Sequence, residues 1–411
     1  HFVSAPSKAV VPIVSISSPG QIGSCDSLPL DFTSSTGGGG RPWVIQYTVE
    51  SSIGSNSSDA AAIKTWLENI YTFSPPKNIP SNLLVPGRRY NIAIKLCNFL
   101  LSCSQASHQV VVMNNIKPLA YIPGSILRTT TRTVPFKLSS STSVAECGQS
   151  ANTASIVSYT SIDISWKIYA TTQSDSLRQV VPIKSTSRDP STMLLNAFTL
   201  HVNTMYEFEL TAISRIYASS AVVSVKVFVE PSPIQAVISG GQSRSIRPLG
   251  MLELDASDSF DKDLDRTDMT LSAKTAMLNG FSYEWSCHQI EPTLANACSF
   301  NVSNAQQSPW TYKLQSSSDS PGTASRVTVK VTHIISGRSS STNAIVTGIT
   351  ATAALVRATS QTAVYINPLE KVKLVGEIEA AASATVTWSV KGPGVEDLSQ
   401  VAMGPISMVV T

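Results

Sequence analysis

The chain has 411 residues, 42% of them hydrophobic and only 14% charged, with a net charge of +3. That length supports three or four domains of about 100–150 residues, and a charge fraction well under the roughly 25% of an average globular chain leaves Ser and Thr hydroxyls to solvate the surface, which suits an extracellular or cell-surface protein. No block of Lys and Arg could follow a phosphate backbone, and no stretch nears the roughly 18 apolar residues of a membrane helix, so nucleic acid and membrane insertion within these residues are both set aside.

Short runs rich in Val, Ile, Thr and Tyr alternate with polar residues between Ser, Gly and Pro clusters, which predicts an all-β chain. The first such run with an aromatic at its centre is Val44–Val49, carrying Tyr47. Residues 59–70 differ: Asp59, three alanines, and apolar residues at 63, 66, 67 and 70 predict a short helix in a loop crossing between sheets, its stripe covering the end of the first core. A Pro86-Gly87 turn then leads into a strand that begins at Tyr90, and His108–Met113 closes the unit.

The pattern returns with Trp166 in Ile162–Ile168, Trp285 in Phe281–Cys287 and Trp388 in Ala384–Val390. These aromatics lie 119, 119 and 103 residues apart (166 − 47, 285 − 166, 388 − 285), the size of one immunoglobulin-like unit. One large aromatic per unit is expected to fill the gap between sheets about 10 Å apart. Tyr90 and Tyr206 resemble the tyrosine corner of sandwich domains, which the third unit lacks. Closing strands at 222–229 and 343–347 divide the chain into units at 1–115, 116–231 and 232–348, with 349–411 an incomplete fourth. Pro118 and Pro231-Ser232-Pro233 predict short, stiff linkers between antiparallel sandwiches arranged as a rod. No signal peptide precedes His1, as expected of a mature product or an excerpt of a longer chain.

Six cysteines without CxxC spacing point to disulfides rather than zinc. Cys287 and Cys298, separated by a polar turn, are expected to pair. Cys25 opens a strand, and either Cys97 or Cys103 is placed to bridge to it; Cys147 has no companion in its own unit, and would staple the second unit to the first or pair with another chain. The sequons at Asn56 and Asn301 fall in polar stretches where attached sugar would be tolerated, and the Ser runs at 139–141 and 317–320 suit O-linked sugar.

The acidic run Asp255, Asp258, Asp261, Asp263, Asp265 and Asp268 offers oxygen ligands suited to Ca²⁺, with the first four as the candidate set; a solvated loop of like charges is the alternative. It lacks the Gly and terminal Glu of an EF-hand. No other cofactor is called for. The chain has no HExxH, no GxSxG and no Gly-Lys-Ser/Thr after Gly37–Gly40, so that glycine run predicts a flexible turn and no enzyme is expected. The five histidines, His1, His108, His201, His288 and His333, fall at no ligand spacing.

Two stretches carry a family resemblance. Cys25–Asp31 with Gly37–Arg41 and the Pro86-Gly87…Tyr90 turn, and Leu254–Asp261 with Tyr283-Glu284-Trp285-Ser286-Cys287, resemble the REJ (receptor for egg jelly) and PKD-type modules of polycystin-like proteins. The resemblance implies tandem immunoglobulin-like sandwiches in the ectodomain of a large surface protein. It implies a structural or adhesive role among other copies or other extracellular surface proteins, in a filament, coat or stalk; the alternative is a receptor ectodomain that binds carbohydrate or protein.

Overall fold

The computed structural model describes residues 10–52, 54, 57–145, 162–172, 178–265, 270–303, 308–360, 371–379, 383–390 and 397–410. The chain divides into two compact units, His1–Pro231 and Ser232–Thr411. Among the described residues, the first holds two separate hydrophobic cores and the second holds one.

In the first core, strands β1 (Gln21–Ile22), β2 (Val44–Ser51), β3 (Arg89–Cys97) and β4 (Cys103–Val112) form a sheet in the order β1-β4-β3-β2. Alternation in β2 and β3 turns Tyr47, Val49, Tyr90, Ile92 and Ile94 inward. The opposing layer is not a regular sheet. Apart from β1, residues 13–36 pair only through single bridges, Ile13 with Thr36, Ser17 with Asp31 and Leu28 with Ile79. Pro19 and Pro29 interrupt that stretch, and each removes a donor that a ladder would need. Burial of Leu28, Leu30 and Phe32 holds the layer in place instead.

Helix α1 (Ser58–Asn69) crosses between these layers, with Ile63 and Leu67 fully buried and Trp66 packed against the core. Ile70, the last residue of the expected stripe, is exposed at the C-cap.

The second core lies between a five-stranded sheet and two short pairs. Strands β5 (Leu119–Tyr121), β6 (Leu127–Thr131), β7 (Phe136–Ser139), β8 (Ser141–Ser143), β9 (Ile162–Thr172), β10 (Gln179–Val180), β11 (Thr192–Leu195), β12 (Thr204–Ser214) and β13 (Ser219–Glu230) supply it. They join as β10-β9-β12-β13-β6, β11-β7 and β5-β8. β12 reads Thr-Met-Tyr-Glu-Phe-Glu-Leu-Thr-Ala, and every second residue, Thr204 through Ala212, is buried.

In the second unit the strands are β14 (Ile234–Gln235), β15 (Ser243–Ile246), β16 (Met251–Asp255), β17 (Phe260–Asp261), β18 (Phe281–Glu291), β19 (Asn301–Val302), β20 (Thr311–Gln315), β21 (Ala324–His333) and β22 (Ser339–Gly348). A second helix, α2 (Leu271–Asn279), precedes β18. The sheets β15-β22-β21-β18 and β16-β20-β19 enclose the core, with the pair β14-β17 beside them. Two further antiparallel pairs, β23 (Leu355–Ser360) with β24 (Leu374–Glu379) and β25 (Ala384–Thr387) with β26 (Ser407–Val410), complete the described strands.

The chain is therefore all-β, built of tandem immunoglobulin-like sandwiches. One detail corrects the antiparallel expectation: β1 runs parallel to β4, β6 to β13 and β15 to β22. In each case an early segment lies beside the closing strand, and the intervening strands act as the long crossover that parallel pairing requires.

Candidate functional site

The four marker aromatics differ in their environments. Tyr47 is buried, whereas Trp166 and Trp285 are half-buried at the rim of their cores instead of filling the space between sheets. Their polar edges explain this, since a buried indole N–H must find an acceptor. Trp166 donates to the Pro190 carbonyl at 2.9 Å, and Trp285 donates to the Pro309 carbonyl at 3.2 Å, each 24 residues on. Tyr71, as far beyond Tyr47 as Pro190 is beyond Trp166, packs edge-on against the Tyr47 ring at 6.3 Å. Burial pushes the Tyr47 hydroxyl up to about 12. Trp388 is half-buried, lying against Gly376 on β24, where a Cβ would stand 3.0 Å from the ring.

The tyrosine corners form as the sequence predicts. The Tyr90 hydroxyl accepts from the Val85 N–H at 3.1 Å, and that of Tyr206 accepts from the His201 N–H at 3.0 Å. Tyr90 also donates to Asp59 Oδ2 at 2.9 Å, and Arg88 pairs with the same carboxylate, so the corner is tied to the first turn of α1. Burial alone would raise the Asp59 carboxyl, but hydrogen bonds from Ser57, Arg88 and Tyr90 outweigh it and hold the group well below the usual carboxylate range.

Cys97 and Cys103 bond to each other, which corrects the expectation that one of them reaches Cys25. The two are directly opposed at the end of the β3–β4 ladder, so their Cβ atoms are already adjacent. Cys287 bonds to Cys298, as expected, and Cys25 is also disulfide-bonded. Cys147 and Asn56 lie outside the described residues. Asn301 is exposed on β19.

The expected calcium ligands are divided among separate tasks. Asp255 accepts from the Ser257 N–H and hydroxyl, and Asp258 from Ser239 and Lys274. Asp261 and Asp263 are buried and share the guanidinium of Arg338, which stands where a cation was expected. No group of three acidic, His or Cys side chains is placed to hold a metal among the described residues.

The histidines are likewise separate. His108 meets the Pro19 carbonyl, His288 the Asn296 carbonyl and His333 the Ser336 hydroxyl.

The most distinctive surface feature is one the sequence reading passed over. The disulfide-closed β3–β4 tip presents Phe99, Leu100 and Leu101 to solvent, with Leu101 82% exposed. Buried Asn98 fixes this tip: its amide donates to the carbonyls of Val10 and Gly37, and its Oδ1 accepts from the N–H groups of Leu100 and Ser102. Leu101 takes the left-handed conformation, φ 62°, which is costly for a residue with a Cβ and marks a constrained turn. Arg41 lies 4.7 Å from the Phe99 ring centroid, and Gly39 lets that ring approach where a Cβ would be 2.8 Å away. The equivalent β12–β13 and β21–β22 tips expose Ile216, Ile334 and Ile335. The signal was present in Asn98-Phe99-Leu100-Leu101-Ser102, an apolar run in a polar turn between two cysteines.

Tandem immunoglobulin-like sandwiches with tyrosine corners and apolar hairpin tips thus define the class of protein. The chain belongs to the REJ domain family, whose pattern matches residues 154–403, more than half of its length. That match includes the Leu254–Cys287 stretch and begins after Cys25–Arg41.

Among solved structures, the three N-terminal domains of the highly immunogenic outer capsid protein Hoc of bacteriophage RB49 align at 11% identity. That alignment covers 83% of this chain and 99% of that one, with a TM-score of 0.20. The N-terminal four Ig domains of Dscam1 isoform 9.44 align at 8% identity over 82% and 73% of the two chains, with a TM-score of 0.26. Immunoglobulin domains 1–5 of Sidekick-1 align at 8% identity over 84% and 60%, with a TM-score of 0.25. No curated protein sequence matches the chain.

Proposed function

We propose that this chain is an extracellular structural or adhesive protein, a subunit or stalk of a cell-surface filament or coat, and that its hairpin tips bind other copies of itself. The recurrence of an apolar tip on each of three successive cores carries this reading. A repeated knob is best matched by a partner with the same repeat, because each further contact forms intramolecularly once the first is made. The closure and hydrogen bonding of the first tip lower the ordering cost of binding.

REJ membership and the disulfides support an oxidising, extracellular setting. No described helix is long and apolar enough to cross a membrane. On this reading the modules divide near residues 115, 231 and 348, and the chain works without catalysis.

Bead aggregation tests it. Beads coated with the chain should cluster, and the solvent-facing change Leu101→Asp should reduce clustering several-fold with the fold intact by circular dichroism. Dispersed beads at every coating density would overturn self-association and leave the receptor ectodomain, recognising carbohydrate or protein, as the reading to pursue.

A further inference from the structure

Asp26 sits at the seam between the first two cores, within the unit His1–Pro231. It is 4% exposed, and its Oδ2 accepts from the Gly23 N–H at 2.7 Å. Its second backbone donor is Ala145, at the end of the segment that follows β8, so one carboxylate joins the two modules.

The surroundings leave little room for adjustment. A Cβ on Gly23 would stand 2.9 Å from both Asp26 Oδ2 and the Lys117 amide nitrogen, and the Ser24 N–H bonds to the Asn115 carbonyl. Nearby, the Ser17 hydroxyl donates to the Ile122 carbonyl and accepts from the Gly124 N–H, a second tie across the same seam.

No cation pairs with Asp26 among the described residues. Lys117 closes over Gly23 with its backbone, Arg128 bonds to the Ser125 carbonyl, and Asp31 caps the Thr33 N–H. His108 bonds to the Pro19 carbonyl, and burial holds it below its ordinary value.

We propose that Asp26 is a proton-operated latch: protonated, it holds the first two modules together, and ionised, it loosens their seam. A carboxylate buried without a counter-charge and served by only two N–H donors is costly when ionised, whereas the neutral acid is tolerated. Burial accordingly raises its carboxyl to about 6, against the lowering effect of its two hydrogen bonds. The folded group holds its proton more tightly than the unfolded one, so its contribution to stability is greatest below about pH 4 and declines as pH rises to about 6. Protonation of His108 acts in the opposite sense, and removing the Asp26 carboxyl isolates the two.

Hydrogen exchange on the intact, oxidised chain tests this, with rates corrected for the intrinsic pH dependence of exchange. Amides of residues 17–26 and 119–124 should lose protection about ten-fold or more between pH 4.5 and 7. Asp26→Asn, isosteric and uncharged, should flatten that dependence, and Asp26→Ser serves if the Asn variant folds poorly. Protection that is independent of pH in the wild type, or an equal pH dependence in a folded variant, would overturn the latch. So would an Asp26 carboxyl carbon titrating near 4 by NMR.

Discussion

Tyr90→Phe and Tyr206→Phe make the same chemical change at equivalent corners, and they should not cost the same. In Tyr206→Phe the part-buried His201 N–H loses its acceptor, and a typical hydrogen bond is worth about 0.5–1.5 kcal/mol. Tyr90→Phe leaves the Val85 N–H unsatisfied in the same way, and it also removes the donor to Asp59. A hydrogen bond to a charged group is worth about 1.5–3 kcal/mol, so Tyr90→Phe should be the more damaging by roughly that margin at pH 7. The melting temperature should fall by roughly 2–4 °C for each kcal/mol. Because Asp59 is held below its unfolded value, its contribution is complete above about pH 4 and fades as pH falls further. The excess cost of Tyr90→Phe should therefore shrink between about pH 4 and pH 2. Urea unfolding of both variants across that range measures it. Equal losses at pH 7, or an excess that persists unchanged into strong acid, would refute the coupling between the corner and α1.

Replacing the Cys287–Cys298 pair with serine should cost about 3 kcal/mol and the Cys97–Cys103 pair about 2, following the loop lengths of 11 and 6 residues; unchanged denaturation midpoints would contradict this. A non-reducing peptide map is expected to link Cys25 to Cys147, the pairing the sequence leaves open, and recovery of Cys147 as a free thiol would exclude it. Expression in a glycosylating host should attach sugar to the exposed Asn301, and Asn301→Gln should lower the apparent mass by one glycan. Removal of calcium by EDTA should leave the melting temperature unchanged, because Arg338 already occupies the acidic pair Asp261 and Asp263; a drop of several degrees would restore the calcium reading.

Much of the fold was legible because strand alternation is a local signal. The buried faces of β3 and β12 and the corners at Tyr90 and Tyr206 follow from residues close in sequence. The aromatic spacing overstated the burial of Trp166 and Trp285, since a hydropathy pattern does not say that an indole N–H will be drawn to a distant carbonyl. The irregular layer at residues 13–36 was hidden for a related reason: its strands are held by core packing, with little ladder to leave a periodic trace. The partners of the four candidate calcium ligands were not legible, because sequence shows carboxylates and not the groups that face them. Arg338 lies 75 and 77 residues beyond Asp263 and Asp261. The apolar tips were readable in principle, but Phe99–Leu101 looks like strand until the chain is seen to turn there.

The return of the chain to Tyr47, Trp166 and Trp285, each 24 residues later, has a bearing on how such modules diversify. In the first module the intervening stretch contains a helix, and in the third it includes the disulfide between Cys287 and Cys298. The span is constant while its contents are not. The spans share their two anchor points, while α1 buries Ile63 and Leu67 within the first and Phe300 is buried within the third, so a segment exchanged there must keep both the length and an apolar face for the core.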